Sequence, residues 1–153
     1  MSFEATWKVN SLVSCTIRFE KKPDWIKEPP QSEGWLENQP PYLFDVQSVE
    51  VQWNKKDIDW GRLLQVSQAA LCTLNGHYSL VESDESDKKA LFRTRVVRGC
   101  YDEAVVTVGD RISILIRRRL MDQPSRCLSF SVSPDAVLDL LEVLTNSPVS
   151  SLQ

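Results

Sequence analysis

Glycine is scarce in this chain, with five in 153 residues. A loop that cradles phosphate through its backbone amides needs several glycines close together, and neither G-x-x-x-x-G-K-[ST] nor G-x-G-x-x-G occurs. G-x-S-x-G and H-E-x-x-H are missing as well. There is a single histidine, His77. Cys15, Cys72, Cys100 and Cys127 stand far apart, and no two form a C-x-x-C, so the spacing fits neither a zinc site nor a redox motif. No run approaches the ~18 continuous apolar residues of a membrane span. Residues 1–7 offer neither the basic stretch nor the apolar stretch of a signal peptide. These absences predict a cytosolic chain with no cofactor, no bound metal and no membrane partner. They also predict reduced thiols, most of them buried as small hydrophobes.

What the chain does have is an uneven charge. Residues 88–126 carry eight arginines and two lysines against four acids, whereas residues 1–87 carry eight basic and fourteen acidic side chains. The overall formal charge of −3 conceals this basic band. Such asymmetry bears on partners and steering rather than on fold. The length suits one domain able to bury roughly two-thirds of its unfolded surface. A single domain over residues 1–147 with a frayed tail at 148–153 is expected.

Local patterns assign the elements. Val13, Cys15, Ile17 and Phe19 alternate with polar residues, as do Val49, Val51 and Trp53, which marks two half-buried strands. A bulge is expected near residues 46–48, where the alternation slips. Residues 57–76 read as a helix: Asp57 or Asp59 caps it, Trp60, Leu63, Leu64, Ala70, Leu71 and Leu74 recur at helical spacing, and Asn75-Gly76 suggests a left-handed stop. A short strand at 78–82 and a solvated turn at 83–89 follow. Further strands are expected at 90–97, 104–108, 111–117 and 127–132. Gly109-Asp110 reads as a two-residue hairpin turn with glycine at positive φ. Ser133 caps a second helix, Pro134 takes its first position and Asp135 meets the positive end of its dipole. The expected fold is α+β, in the order ββαβββββα: a mostly antiparallel sheet of six to seven strands packed under two helices, with one face wet.

Catalytic candidates are thin. His77 can act as a base and Cys100 as a thiol nucleophile beside Arg98, but no motif supplies a partner and an orienting group. A thiol-dependent enzyme is the least favoured reading. Two surfaces stand out instead. Arg93, Arg95, Arg117, Arg118 and Arg119 can converge on one wet sheet face, where guanidinium groups bind phosphate or carboxylate. That makes a nucleic-acid-binding module the alternative function, although the acidic whole and the lack of interleaved rings weigh against it.

The second surface is the proline-rich acidic stretch at 23–42. It offers Trp25, Trp35 and Tyr42 as anchors, with Glu28, Glu33 and Glu37 among its acids. The expected function is therefore a non-enzymatic protein-binding domain: an inhibitor, an immunity or antitoxin-like protein, or an escort chaperone for a basic protein partner. The apolar C-terminal helix can cover its own sheet or pair with a second copy, so a homodimer is among the expected states.

Overall fold

The computed structural model describes residues 3–24, 26, 36–39, 42–55 and 57–146, apart from the Trp7 side chain. Among these residues there are ten strands, more than the expected number. They are β1 (Phe3–Lys8), β2 (Val13–Phe19), β3 (Phe44–Val46), β4 (Ser48–Trp53), β5 (Ser79–Asp84), β6 (Lys89–Arg93), β7 (Cys100–Val108), β8 (Ile112–Leu120), β9 (Cys127–Leu128) and β10 (Phe130–Val132). The helices are α1 (Trp60–Leu74) and α2 (Pro134–Asn146). The main sheet runs β1-β2-β4-β8-β7-β6-β5, with β9 added along β8, and every pairing is antiparallel. β3 and β10 form a separate two-stranded sheet. The α+β class and antiparallel sheet expected from the pattern are both present.

Period-two alternation decides the layers. Cys15, Val51, Ile114, Val106 and Ala90 lie in one cross-strand row, and Ile17, Val49, Ile116, Ala104 and Phe92 in the next. Both rows are buried, together with Leu63, Val66, Ala70 and Leu71 of α1 and Val137, Leu140, Leu141 and Leu144 of α2. Burying such a side chain contributes about 1.5–3 kcal/mol relative to leaving it exposed. The two helices pack on each other above this face. Thr16, Glu50, Leu115, Val105 and Leu91 make the corresponding row on the other face and are only half-buried.

Local chemistry sets the ends. Asp59, not Asp57, caps α1 by accepting the Arg62 amide at 2.8 Å. α1 does not stop in the left-handed region: Asn75 is extended, with φ −154°, and its side chain accepts the His77 amide instead. α2 begins as its sequence implies, with the Ser133 hydroxyl accepting the Ala136 amide at 3.1 Å. The β7–β8 turn differs from the two-residue form. Val108 pairs with Ile112, three residues intervene, and Gly109 does not adopt positive φ. Positive φ falls instead on Lys88, in the β5–β6 turn, and on Arg98 and Gly99, in the tight turn that bridges Val97 and Cys100. β6 ends at Arg93, short of the expected Val97.

Relative to the sequence reading, one strand is missed and two are split. β1 is unexpected, although Phe3, Ala5 and Trp7 alternate with Glu4, Thr6 and Lys8. The slip near residues 46–48 is a change of sheet rather than a bulge. The chain leaves the small sheet at Gln47 and enters the main one at Ser48. The stretch at 127–132 breaks in the same manner at Ser129, between β9 and β10.

Candidate functional site

The arginine band is largely neutralised by its own acids. On β7, Asp102 and Glu103 are both buried, on opposite faces. Asp102 accepts two bonds from Arg118, at 2.7 and 3.3 Å, on the helix-bearing side. That carboxylate holds the Arg118 guanidinium above its ordinary pKa, and the guanidinium lies 5.7 Å from the Phe130 ring centre. Glu103 faces the open side. It accepts from Arg119 at 2.9 Å and from Arg93 at 3.4 Å. Arg93 also sits 5.2 Å from the centre of the Tyr101 ring, and Arg119 donates to the Pro124 carbonyl at 2.8 Å.

The expected convergence of five arginines on one face is therefore corrected. Arg93, Arg117 and Arg119 share the open face, and Arg118 is turned to the other by the strict alternation of a strand. Arg95 lies beyond the end of β6, exposed. The expected burial of most thiols is also corrected: Cys15 is buried, Cys72 and Cys100 are half-buried and Cys127 is exposed, all unbridged. Burial drives the Cys15 thiol well above its ordinary pKa, with the Glu50 charge adding to the effect.

His77 and Cys100 do line one concavity, of about 420 Å³, with Arg95, Arg98, Asp102 and Arg118. No hydrogen bond joins the thiol to the imidazole; His77 is engaged through its backbone with Asn75. Among the described residues no group of three or more His, Cys, Asp or Glu side chains is arranged to hold a metal ion. No described helix is long and apolar enough to cross a membrane.

In the 23–42 stretch, Trp25, Glu28, Glu33 and Trp35 lie outside the described residues, as does the tail at 148–153. The parts that are described are pinned and presented in alternation. Ile26 and Leu36 are buried in the core, and the short 3-10 turn at Leu36–Asn38 packs on α2. Glu37 is exposed next to the buried Leu36. Tyr42 and Leu43 are 60% and 63% exposed, and Phe44 immediately after them is buried against Phe19. The result is a pair of large apolar side chains held out from a fixed base.

A third feature was not legible as a site in the sequence. It is a cleft of about 370 Å³ at the junction of the two sheets, lined by Arg18, Arg117 and Arg126 together with Glu20, Ser48 and Ser129. These residues are distant in sequence, and only the strand order brings them together. No family model, no curated protein and no solved structure matches the chain.

Proposed function

We propose that this chain is a non-catalytic protein-binding domain, of the inhibitor, immunity or escort type, working in the cytosol on a basic protein partner. The observation that carries the reading is the Tyr42-Leu43 pair, exposed side by side between buried Leu36 and Phe44. Large apolar side chains presented on an anchored base lose little freedom on binding, and tyrosine is a preferred interface anchor. Acids of the same half of the chain, Glu37 among them, would steer a basic partner toward it. Two further observations support binding over chemistry. The thiol and the imidazole are not joined, and the arginines that suggested a phosphate-reading face are mostly committed to Asp102 and Glu103.

The test is affinity capture at low and moderate salt, with nuclease treatment of half of each sample, using the native chain and the double variant Tyr42→Ser/Leu43→Ser. The expected result is a partner protein that survives nuclease and moderate salt and is lost with the double variant. The two side chains are already solvent-exposed, so the variant should fold as the parent does. Capture that disappears with nuclease, or that the double variant leaves intact, overturns the reading.

A further inference from the structure

The sheet junction leaves a gap with a defined chemistry. Along one edge of β8, Ile112–Ile116 pair with β4, while Arg118 and Arg119 pair with β9. Arg117 falls between the two partners. It is there that the neighbouring chains change sheet, at Gln47 on one side and Ser129 on the other. The diverging strands open the cleft, and Arg18, paired through its backbone with Ser48, closes the opposite wall.

The charge in this cleft is not balanced as it is elsewhere in the basic band. Arg93, Arg118 and Arg119 each have a carboxylate within ion-pair distance. Arg117 and Arg126 have none among the described residues. Arg18 is tied to Glu4 through one nitrogen, Nη2, which leaves the rest of its fork available. Ser48 is nearly buried at the cleft wall, and its hydroxyl has no partner among the described residues. Glu20 stands at the rim and accepts the Ser129 hydroxyl at 3.0 Å. Three arginines thus line one cleft with an unpartnered hydroxyl, and one carboxylate keeps acceptor capacity beside them.

We infer that the cleft at the sheet junction binds a small organic phosphate monoester, with Arg18, Arg117 and Arg126 taking the phosphate and Glu20 accepting from a hydroxyl of the attached group. Planar guanidinium forks match a phosphate dianion in bidentate fashion. A cleft of about 370 Å³ lies within the size range of small-ligand sites and suits a pentose phosphate rather than a polymer. Glu20 disfavours a bare anion and favours one carrying donors. The inference does not depend on the Tyr42-Leu43 surface.

The experiment is a titration at constant ionic strength, followed by calorimetry and by the arginine Nε–Hε signals in NMR spectra. The probes are ribose 5-phosphate, inorganic phosphate and ribose. Ribose 5-phosphate is expected to bind best, inorganic phosphate more weakly, and ribose not at all. Arg117→Gln and Arg126→Gln should each weaken ribose 5-phosphate by roughly tenfold or more, since each removes charge-assisted hydrogen bonds. Arg111→Gln, at the β7–β8 turn and outside the cleft, should leave the affinity unchanged. Arg126 lies outside the strands, so its substitution keeps the test independent of any loss of folding at Arg117. The inference is overturned if ribose 5-phosphate does not titrate, or if Arg111→Gln weakens it as much as Arg126→Gln. A single-stranded oligonucleotide that binds far more tightly than ribose 5-phosphate would overturn it as well.

Discussion

Asp102 is buried on β7 and grips Arg118 with both carboxylate oxygens, while its backbone amide donates to the Thr94 hydroxyl at 2.9 Å. Removing the carboxylate strands a guanidinium that is only partly open to solvent. Asp102→Ala should therefore destabilise the fold by roughly 2 kcal/mol, less than the ~3–5 kcal/mol of a fully buried pair because solvent still screens Arg118. Urea denaturation of the two proteins measures it, and a change below about 0.5 kcal/mol, the scale of an exposed pair, would reduce the contact to a surface ion pair. Asp102→Asn keeps a hydrogen-bond acceptor and should lose less. The sequence carried the composition of this arrangement, because the four acids of the band are visible in it. It did not carry the pairing. Which arginine meets which acid depends on the β7–β8 register, in which Asp102 opposes its partner Arg118, while Glu103 opposes Arg117 but is bonded on the diagonal by Arg119.

At the scale of elements, the strongest local constraint is the Arg98-Gly99 turn. Both residues hold positive φ, at 54° and 74°, as a tight two-residue connection that follows the right-handed twist of its strands requires. A Cβ added at Gly99 would meet nothing within 4 Å, so the cost of a side chain there is in the backbone alone. Gly99→Ala should destabilise by about 1–2 kcal/mol, whereas Arg98→Asn should be neutral or mildly stabilising. Thermal unfolding of the pair reads this directly, and equal loss from both would point to a side-chain role for Arg98 instead. Gly109-Asp110 drew the turn assignment because a Gly-Asp pair between β-rich runs is a recognised signal. The actual loop has three residues, and its glycine needs no special φ. Long, strongly periodic segments such as α1, α2 and β8 were legible because burial of one face dictates their spacing. The handover at Gln47 left only a slip in the alternation, which reads equally well as a bulge, and the one at Ser129 left no trace, because there the alternation continues and only the partner changes. The arginine cleft depends on those handovers, which is why the sequence set Arg117 and Arg126 in the basic band but gave no reason to join Arg18 to them.

Across the whole molecule, the charge split proves to be two different situations. The basic half is folded into a sheet whose acids absorb much of its charge, leaving an excess at the cleft and the turns. The acidic half carries the exposed Tyr42-Leu43 pair. Beneath both lies a core that holds two groups able to ionise only in alkali, and these set a global pH response. Burial pushes the Cys15 thiol and the Tyr78 phenol far above their ordinary values of 9.0 and 10.0, and the Asp102 charge adds to the effect on Tyr78. In the unfolded chain both ionise near those ordinary values, while in the folded chain both stay protonated. Above pH 9.0 the folded state therefore binds more protons than the unfolded state. The stabilisation is whole below that pH and is lost as pH rises, by about 1.4 kcal/mol per pH unit for each group once its unfolded value is passed. The Tyr78 hydroxyl is buried without a hydrogen-bond partner among the described residues. Tyr78→Phe should thus be neutral or stabilising at pH 7, since it removes an unsatisfied polar atom and keeps the ring. It should also flatten the alkaline decline above pH 10 by about one proton's worth of slope. Urea midpoints of the parent and of Tyr78→Phe, taken at pH 7, 9, 10 and 11, decide the matter. Parallel curves for the two proteins would mean that the phenol ionises as readily in the folded chain as outside it, which is incompatible with its burial.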